Sequence, residues 1–281
     1  FRSRNSLQHL SVSHSTISLG LGLGGGKSAT SSGAPGGGAS PYANEFSGNF
    51  DGTNDYLSVP KEICTTLASS AWSVSAWLYP ETSASYDYVF SNGVPVQLVY
   101  HGGKIKAWLS STSPGSNYFA SGVTTTASVP TGAWTHVVAV FTTTSLKFYL
   151  DGSLDSTHTY SANSAANPDQ AATIGSYITP SYFFDGLIDE LSIFNTSLSG
   201  GSVTTIWNGG APGDISALDP VAWWRMGESA GDVNGSGGAP ANTDPIGTIV
   251  NAATGAASGG SGLDATQGTA SYQPLFSTTV L

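Results

Sequence analysis

Short segments in which apolar and polar residues alternate run from residue 46 to about 196. The segment "AWSVSAWLY" at 71–79 has a period of two, which predicts a β-strand with one face in the core and the other in solvent. The same period recurs in "VQLVYH" (96–101), "KIKAWL" (104–109), "WTHVVAVF" (134–141) and "SLKFYL" (145–150). Gly-Gly at 102–103 and Asp-Gly at 151–152 suit the positive φ angles of tight hairpins, so successive strands are predicted to be antiparallel neighbours.

Few segments in this region have the 3.6-residue period of a helix, and this absence of predicted helices indicates the fold class. Many short strands without intervening helices predict an all-β fold, an antiparallel two-sheet β-sandwich of the jelly-roll type. One short helix is predicted in "LSGGSVTTIW" at 198–207. Ser199 is its expected N-cap, and "NGG" at 208–210 is expected to end it.

The two ends of the chain differ in composition from the predicted domain, which spans residues 46–213. Residues 1–45 are rich in glycine, which makes ordering costly, so we predict an extended N-terminal arm or linker. Residues 214–281 are predicted to form an irregular, partly extended C-terminal tail. Trp223, Trp224 and Met226 are too apolar to stay in solvent, so this tail is expected to dock on the sandwich or on a neighbouring chain.

Charge and cysteine content exclude several classes of partner. The formal net charge is −10, from 18 acidic and 8 basic side chains, so the chain offers no cationic field and no nucleic-acid partner is expected. No run reaches the roughly 18 apolar residues of a membrane span, so membrane insertion is not expected. The single cysteine, Cys64, follows Ile63 and is predicted to be a small core residue.

The segment "FDGTNDYLSVP" at 50–60 concentrates side-chain oxygens in a chain with only 9% charged residues. Asp51, Asn54 and Asp55 fall within five positions, between two apolar segments. Their oxygens either accept backbone N–H groups in an Asx-type turn or hold a cation. Both interpretations are open on these residues alone.

An ordered set of segments resembles the laminin G-like, concanavalin A-like jelly-roll domains, the superfamily that also contains the pentraxins. These segments are "FSGNFDGTNDYLSVP", "WSVSAWLYP", "WTHVVAVF", "LKFYLDGSL", "ATIGS" and "FFDGLIDELSIFNTSLSGGSVTTIWNGG". The resemblance covers about residues 46–213 and implies the two-sheet fold that the strand pattern also predicts.

The same resemblance implies a candidate calcium site. In that family the Asp-Gly turn of the first strand lies beside the G-x-I-D-E segment of the last strand. A structural calcium that clamps these strands would take Asp51, Asn54, Asp55 and Asp189 as its candidate ligands. The alternative is that Asp51 and Asp55 build a turn while Asp189 pairs locally.

The carboxylate pattern argues against an enzyme. Glycosidases that share this sandwich resemble one another in a Glu-x-Asp-x-x-Glu strand, whose carboxylates face one cleft. The segment "GLIDELSIF" departs from it, since Leu187 stands in place of the leading glutamate. Asp189 and Glu190 are adjacent and are therefore expected to point to opposite faces of the strand. His136 is in phase with core positions, and no serine or cysteine motif surrounds the histidines.

Four aromatic residues in the predicted solvent phase are candidates for stacking on the apolar faces of sugar rings: Trp77, Tyr79, Trp108 and Tyr149. The alternative is that they pack under loops or against another subunit, since exposed aromatics are also typical of subunit interfaces.

The segment "VAWWRMGES" at 221–229 resembles parts of environmental tailed-phage proteins, in which jelly rolls decorate capsids, fibres or tails. The leading hypothesis is therefore a non-enzymatic structural or decoration subunit of a phage-like virion. Its expected partners are copies of itself and other virion subunits, with cell-surface glycans as a further expected ligand. The alternative is a secreted, calcium-dependent lectin or adhesin domain, and a glycosidase ranks third.

Overall fold

Two antiparallel β-sheets with a shared core account for most of the described chain. The structure is a computed structural model, and it describes residues 42–65, 71–83, 86–92, 96–109, 122–160, 171–253, 262–264 and 273–281. The predicted N-terminal arm lies outside the described residues, except for residues 42–45. All described residues belong to the unit Gly38–Leu281.

The regular elements are mainly strands. In chain order the strands are β1 (Ser47–Asp51), β2 (Leu57–Val59), β3 (Trp72–Pro80), β4 (Asp87–Ser91), β5 (Val96–His101), β6 (Lys104–Leu109), β7 (Val123–Thr124), β8 (Thr135–Phe141), β9 (Ser145–Leu150), β10 (Ser153–Thr159), β11 (Ala172–Ile174), β12 (Asp185–Phe194), β13 (Ala222–Trp224), β14 (Val233–Asn234), β15 (Ile246–Val250), β16 (Gly262–Asp264) and β17 (Leu275–Ser277). Within the described residues, the helices are α1 (Lys61–Thr65), α2 (Gly200–Trp207) and a 3-10 turn at Ser216–Leu218.

The first sheet has the strand order β10-β9-β8-β3-β12-β1-β17, and β13 also pairs with β12. The second sheet has the order β14-β15-β16-β2-β11-β4-β5-β6-β7. All pairings between these strands are antiparallel. The predicted all-β antiparallel sandwich is therefore confirmed.

Large apolar side chains from both sheets fill the space between them. Phe50 and Phe148 come from the first sheet, whereas Phe90 and Leu98 come from the second, and all four belong to one buried cluster. Full burial of such a side chain stabilises the fold by about 1.5–3 kcal/mol. Cys64 belongs to the same cluster, as predicted, and its burial raises the pKa of the thiol to about 12.

The outer face of the first sheet is also covered, which corrects the expectation that one face of β3 meets solvent. Val203 and Ile206 of α2 pack there against Val138 and Phe194 in a second apolar cluster. Residues 72–78 of β3 are all buried. The alternation in this strand therefore distributes side chains between two packed interfaces, because a helix and later segments cover the face that would otherwise be wet.

The predicted helix and hairpin turns are confirmed. Ser199 caps α2, with its Oγ accepting the N–H of Ser202 at 3.0 Å, and Asn208 ends the helix with a φ of +47°. The turn residues Asp151 and Gly152 have φ angles of +46° and +75°. No helix in the described ranges is long and apolar enough to cross a membrane.

The described parts of residues 214–281 belong to the sandwich. They supply β13 through β17, and β17 pairs with β1 while β13 pairs with β12. Trp224, Ile246, Ile249 and Phe276 are buried in the main cluster. The sandwich thus extends past residue 213, where the sequence places the end of the domain.

Replacing Phe276, which is 1% exposed, by alanine tests whether this last strand belongs to the core. Loss of its contacts should lower the free energy of unfolding by about 3–5 kcal/mol, measured by urea denaturation of the full chain. Leu154→Ala is the matched control, because Leu154 is 55% exposed and its loss should cost less than about 0.5 kcal/mol. Equal midpoints for the two variants would contradict the described packing.

Candidate functional site

The oxygens of the "FDGTND" segment form a turn. Oδ1 of Asp51 accepts the backbone N–H groups of Thr53 at 2.8 Å and Asn54 at 3.2 Å. Oδ2 of Asp55 accepts the N–H of Asp51 at 3.0 Å. These are the contacts of the Asx-turn alternative, so a carboxylate oxygen of each aspartate is engaged by the backbone.

Asp189 lies away from this turn. The first and last strands are neighbours, as the family resemblance implies, and Asp51 of β1 faces Asp185 of β12. Asp189 is four residues further along β12, which is about 13 Å at the rise of an antiparallel strand. The structure therefore does not bring Asp189 together with Asp51, Asn54 and Asp55.

Asp189 instead joins two glutamates in a group that we call the acidic cluster: Asp189, Glu190 and Glu228. One carboxylate oxygen from each of the three lies within 4.8 Å of the others. The expectation that Asp189 and Glu190 point apart is wrong, because a bulge interrupts the register of β12 with β3 after Asp189. Glu190 has a φ of +50° at this bulge.

Aromatic and cationic groups hold the carboxylate of Glu190. Its Oε2 accepts the indole N–H of Trp223 at 2.5 Å, and its Oε1 accepts Nε of Arg225 at 3.2 Å. The guanidinium carbon of Arg225 lies 3.7 Å from the ring centre of Tyr42, and Nη2 donates to the carbonyl of Ala43 at 2.6 Å. Arg225 thereby ties the segment before β1 to the segment after β13.

The other two carboxylates each keep one buried oxygen without a hydrogen-bond partner. Oε1 of Glu228 accepts the N–H groups of Glu45 at 2.9 Å and Phe46 at 2.5 Å, whereas Oε2 has no partner. Asp189 is 0% exposed; its Oδ1 accepts the N–H of Glu190 at 2.7 Å, and its Oδ2 has no partner. Such orphaned buried oxygens are rare and call for an explanation.

Burial makes ionisation of the acidic cluster unfavourable. It raises the pKa of Asp189 well above its usual range, and repulsion by Glu190 and Glu228 adds to the rise. Burial raises the pKa of Glu190 to about 7 although Arg225 opposes the shift. Burial likewise raises the pKa of Glu228 to about 7. An open groove of about 510 Å³ borders this cluster, with Tyr42, Trp223, Arg225 and Glu228 in its lining.

Three of the four predicted stacking residues are placed on the first sheet. Trp77 is 3% exposed and packs beside His136, and Tyr149 is 6% exposed beneath α2. These two predictions are wrong, because neither ring has a face in solvent. Tyr79 is half-buried and meets the ring of Trp134 edge-on at 5.6 Å.

Trp108, the fourth predicted residue, lies in a group of rings on the outer side of the second sheet. We call this group the aromatic face, and its members are Tyr86, Tyr88, His101, Trp108, Tyr177 and Tyr182. Tyr86 stacks on His101 at 3.9 Å and lies 5.7 Å from Trp108. Tyr88 lies 5.3 Å from Tyr177 and 5.9 Å from Tyr182.

Polar groups are interleaved with these rings. Nζ of Lys106 lies 4.5 Å from the ring centre of Trp108 and 5.4 Å from that of Tyr86. The hydroxyl of Tyr88 donates to the side chain of Gln97 at 3.0 Å. Burial, followed by the neighbouring tyrosines, raises the pKa of Tyr88 to about 12, so its hydroxyl stays protonated at neutral pH.

An unusual backbone conformation presents the most exposed of these rings. Tyr182 is 59% exposed and has a φ of +55°, a conformation that bulky residues rarely adopt. Its carbonyl accepts the N–H of Tyr88 at 3.2 Å, and Tyr177 donates its N–H to Ser181 at 2.9 Å. Strain of this kind persists where the surroundings enforce it, often at ligand-binding positions.

Tyr86, Tyr177 and Tyr182 are not among the stacking residues predicted from the sequence. Tyr177 and Tyr182 lie in the segment between β11 and β12, where no strand period marks a face. Tyr86 and Tyr88 are two positions apart in the sequence. In an extended chain this spacing places two side chains on the same face, and it was the available signal for this surface.

The comparisons with known proteins agree with the fold. A laminin G-like family model, described as the concanavalin A-like lectin/glucanases superfamily, matches residues 51–204, more than half of the chain. The chain belongs to this superfamily, as its sequence resemblance implies. No curated protein matches the chain.

Solved structures with the same fold have low sequence identity to this chain. A protein of Bacteroides ovatus ATCC 8483, provisionally described as carbohydrate binding, has a TM-score of 0.55 at 14% identity, over 80% of this chain and 58% of its own. The chain thus spans little more than half of that protein. The CBM40 of the Ruminococcus gnavus IT-sialidase has a TM-score of 0.47 at 14% identity, over 60% of this chain and 98% of its own. Likeness at these identities shows the fold alone.

Asp87 lies at the start of β4, behind the aromatic face, and should make the stability of the protein depend on pH. It is 1% exposed, and burial together with repulsion by Asp185 raises its pKa from 3.8 to about 7, with His101 opposing. Since the folded state binds this proton more tightly, its contribution to stability is complete below pH 3.8 and is lost as pH rises through about 7. Asp87→Asn should remove this loss.

The measurement is urea denaturation of the wild type and Asp87→Asn at a series of pH values. Between the two limits, the wild type should lose a few kcal/mol more of its free energy of unfolding than the variant does. Parallel pH profiles for the two proteins would show that Asp87 titrates normally.

Proposed function

We propose that this chain is a non-catalytic carbohydrate-binding domain whose binding surface is the aromatic face. One observation carries the proposal: Tyr86, Trp108 and Tyr182 lie on the solvent side of the second sheet, with Lys106 and Gln97 among the rings. Membership in a lectin and glucanase superfamily supports this class of ligand.

The chemistry of the aromatic face suits sugars. An aromatic ring removes the C–H surface of a pyranose from water without needing a charge on the ligand. The amide of Gln97 and the hydroxyl of Tyr88 lie between the rings, where sugar hydroxyls need hydrogen-bond partners. Nζ of Lys106 lies over the ring of Trp108, which holds that ring in place and puts a cationic donor beside it.

The shape of the surface favours a glycan chain over a single terminal sugar. The rings come from β4, β5, β6 and the segment before β12, so they are spread across several strands. A sheet face of this kind contacts a ligand from one side. Consecutive sugars of an extended chain can therefore each meet a ring, and the affinity accumulates over several weak contacts.

The acidic cluster argues against glycoside hydrolysis. Hydrolysis needs two carboxylates that flank a bound glycosidic bond. Asp189 and Glu190 are 0% and 6% exposed, and Glu190 is engaged by Trp223 and Arg225. Because both of these carboxylates are buried, neither is placed to flank a glycosidic bond bound from solvent.

The virion and secreted-adhesin hypotheses place this same surface in different settings. The virion setting, with self-association and other virion subunits as partners, is supported by the resemblance of "VAWWRMGES" to tailed-phage proteins. The secreted setting is supported by the lectin side of the superfamily. In either setting, the aromatic face is the part that meets the glycan.

Trp108→Ala and Tyr182→Ala test the binding surface. Each should weaken binding about tenfold, equivalent to about 1.4 kcal/mol, because one stacked ring is removed. Affinity gel electrophoresis against β-glucan, xylan, arabinan and galactan measures the effect. Leu154→Ala is the control, since it removes an exposed apolar side chain from β10 on the other sheet.

Two outcomes would contradict the proposal. Wild-type protein that migrates unretarded through every polysaccharide, and that binds no glycan on an array, has no such function. Retardation that survives both substitutions places the binding surface elsewhere. Shortened products after incubation with the same polysaccharides would overturn the non-catalytic part.

The virion setting has its own test. Antibodies raised against the domain should label purified phage particles, and the chain should co-sediment with them at a constant ratio to the major capsid protein. Recovery of the chain from particle-free medium only would favour the secreted adhesin.

A further inference from the structure

We infer that the aromatic face selects glycans that carry carboxylate groups, and that Lys106 is the residue that binds the carboxylate. This inference rests on the proposed carbohydrate-binding function and deepens it, because it names the class of sugar. A uronic acid unit would stack on a ring of the face while its carboxylate meets the ammonium of Lys106.

The charge on the outer side of the second sheet is opposite to that of the chain as a whole. The formal net charge of the chain is −10, from 18 acidic and 8 basic side chains. Lys104 and Lys106 lie on β6. The residues that alternate with them, Ile105 and Ala107, are buried in the main cluster. Successive side chains of a strand point to opposite faces, so both lysines lie on the outer face.

No carboxylate shares that face on the described residues of β4, β5 and β6. Asp87 is the one acidic residue of these three strands, and it pairs with Tyr100, which belongs to the buried cluster. Directly opposite residues of an antiparallel pair point to the same side of the sheet, so Asp87 faces inward, in agreement with its 1% exposure. An anion that approaches these strands from solvent therefore meets lysines and no opposing carboxylate.

The two lysines differ in the contacts that already hold them. Nζ of Lys104 donates to the carbonyl oxygen of Thr126 and interacts with the carboxylate of Asp155. Lys106 has no hydrogen bond or ion pair with the described residues, among which its ammonium contacts aromatic rings. A ring face attracts a cation but is not a conventional hydrogen-bond acceptor, so the N–H donors of Lys106 are available to a ligand.

Neighbouring groups hold the side chain of Lys106 in position. It is half-buried, and its Nζ lies 4.5 Å from the ring centre of Trp108 and 5.4 Å from that of Tyr86. Gly122 has a φ of +70°, and a Cβ there would come within 2.5 Å of Cε of Lys106 and 3.1 Å of Cε2 of Trp108. Glycine thus permits the close approach of both side chains to the backbone. A lysine held in this way loses less freedom when it binds an anion.

A uronic acid matches this arrangement of one ammonium beside two rings. Its pyranose ring offers an apolar C–H face for stacking, and its carboxylate projects from the edge of the same ring. Tyr86 is 38% exposed and its ring centre lies 5.4 Å from Nζ of Lys106, so the carboxylate of a sugar stacked on Tyr86 can reach that ammonium. A hydrogen bond between two charged groups is roughly twice as strong as one between neutral groups.

A densely sulfated chain matches the surface less well. Polyanions of that kind are bound by patches of several basic residues. On the described residues of β4, β5 and β6 the lysines are Lys104 and Lys106, and Lys104 is already engaged by Thr126. One available ammonium suits a ligand that presents one charge per sugar, as a polyuronate does.

The test compares polysaccharides that differ only in their carboxylates. Polygalacturonate, alginate and glucuronoxylan are each paired with the same polymer after reduction of its carboxylates to primary alcohols, and binding to the full chain is measured at pH 7.5 by calorimetry. We expect at least one acidic polymer to bind about tenfold more tightly than its reduced partner, because reduction removes a charge-assisted hydrogen bond. Dextran sulfate should bind more weakly than that polymer.

Matched variants assign the preference to Lys106. Lys106→Met keeps an apolar stem against Trp108 but removes the charge, so it should weaken binding to the acidic polymer about tenfold and change binding to the reduced polymer less than about twofold. Lys106→Arg keeps the charge and should keep the preference. Lys147→Met is the control, because it makes the same charge change on β9 of the other sheet and should bind as the wild type does. Thermal midpoints show that each variant is folded; if Lys106→Met is not, Lys106→Gln replaces it.

Three results would overturn the inference and leave the proposed function standing. The first is a wild type that binds the reduced polymers as tightly as the acidic ones. The second is a Lys106→Met variant that keeps the wild-type preference, which places the carboxylate elsewhere. The third is dextran sulfate that binds more tightly than every polyuronate, which assigns the surface to sulfated chains. A wild type that binds no polysaccharide, acidic or neutral, overturns the proposed function as well, so the two failures are distinguishable.

Discussion

The first sheet depends on the pairing of β12 with three strands from distant parts of the chain. β3 occupies one edge of β12, while β1 and β13 divide the other edge between them. Residues 47–51 and 222–224 are thereby held in one sheet, although more than 170 positions separate them. Long-range pairing of this kind closes large loops, so its entropic cost must be offset by burial such as that of Trp224 and Phe50.

A bulge at Glu190 accompanies the division of one edge of β12 between β1 and β13. An extra residue on β12 lies where the start of β1 and the end of β13 meet, and it brings two adjacent carboxylates to the same region. Arg225, Trp223 and the N–H groups of residues 45 and 46 then engage the carboxylates. The acidic cluster is therefore a feature of the junction between strands.

The two outer faces of the sandwich differ in exposure because different segments cover them. Helix α2 covers part of the first sheet, so Tyr149 is buried and Trp77 packs on His136 in the same sheet. The outer side of the second sheet keeps Tyr86 and Tyr182 in solvent, at 38% and 59% exposure. Aromatic rings are thus buried on the outer face of the first sheet. On the outer face of the second sheet they are exposed and are candidates for ligand binding.

The sequence by itself determined the strands, turns and helix ends that local interactions control. The period-two segments predicted most of the strands, Asp151-Gly152 predicted a hairpin turn, and Ser199 with Asn208 predicted the ends of α2. Each of these depends on residues a few positions apart. Tertiary structure alone decided which face of β3 is covered, where Asp189 meets Glu228, and how Tyr182 comes to lie beside Tyr88. Those outcomes depend on a bulge, on a helix packed from elsewhere in the chain and on segments far apart in sequence, none of which leaves a periodic signal.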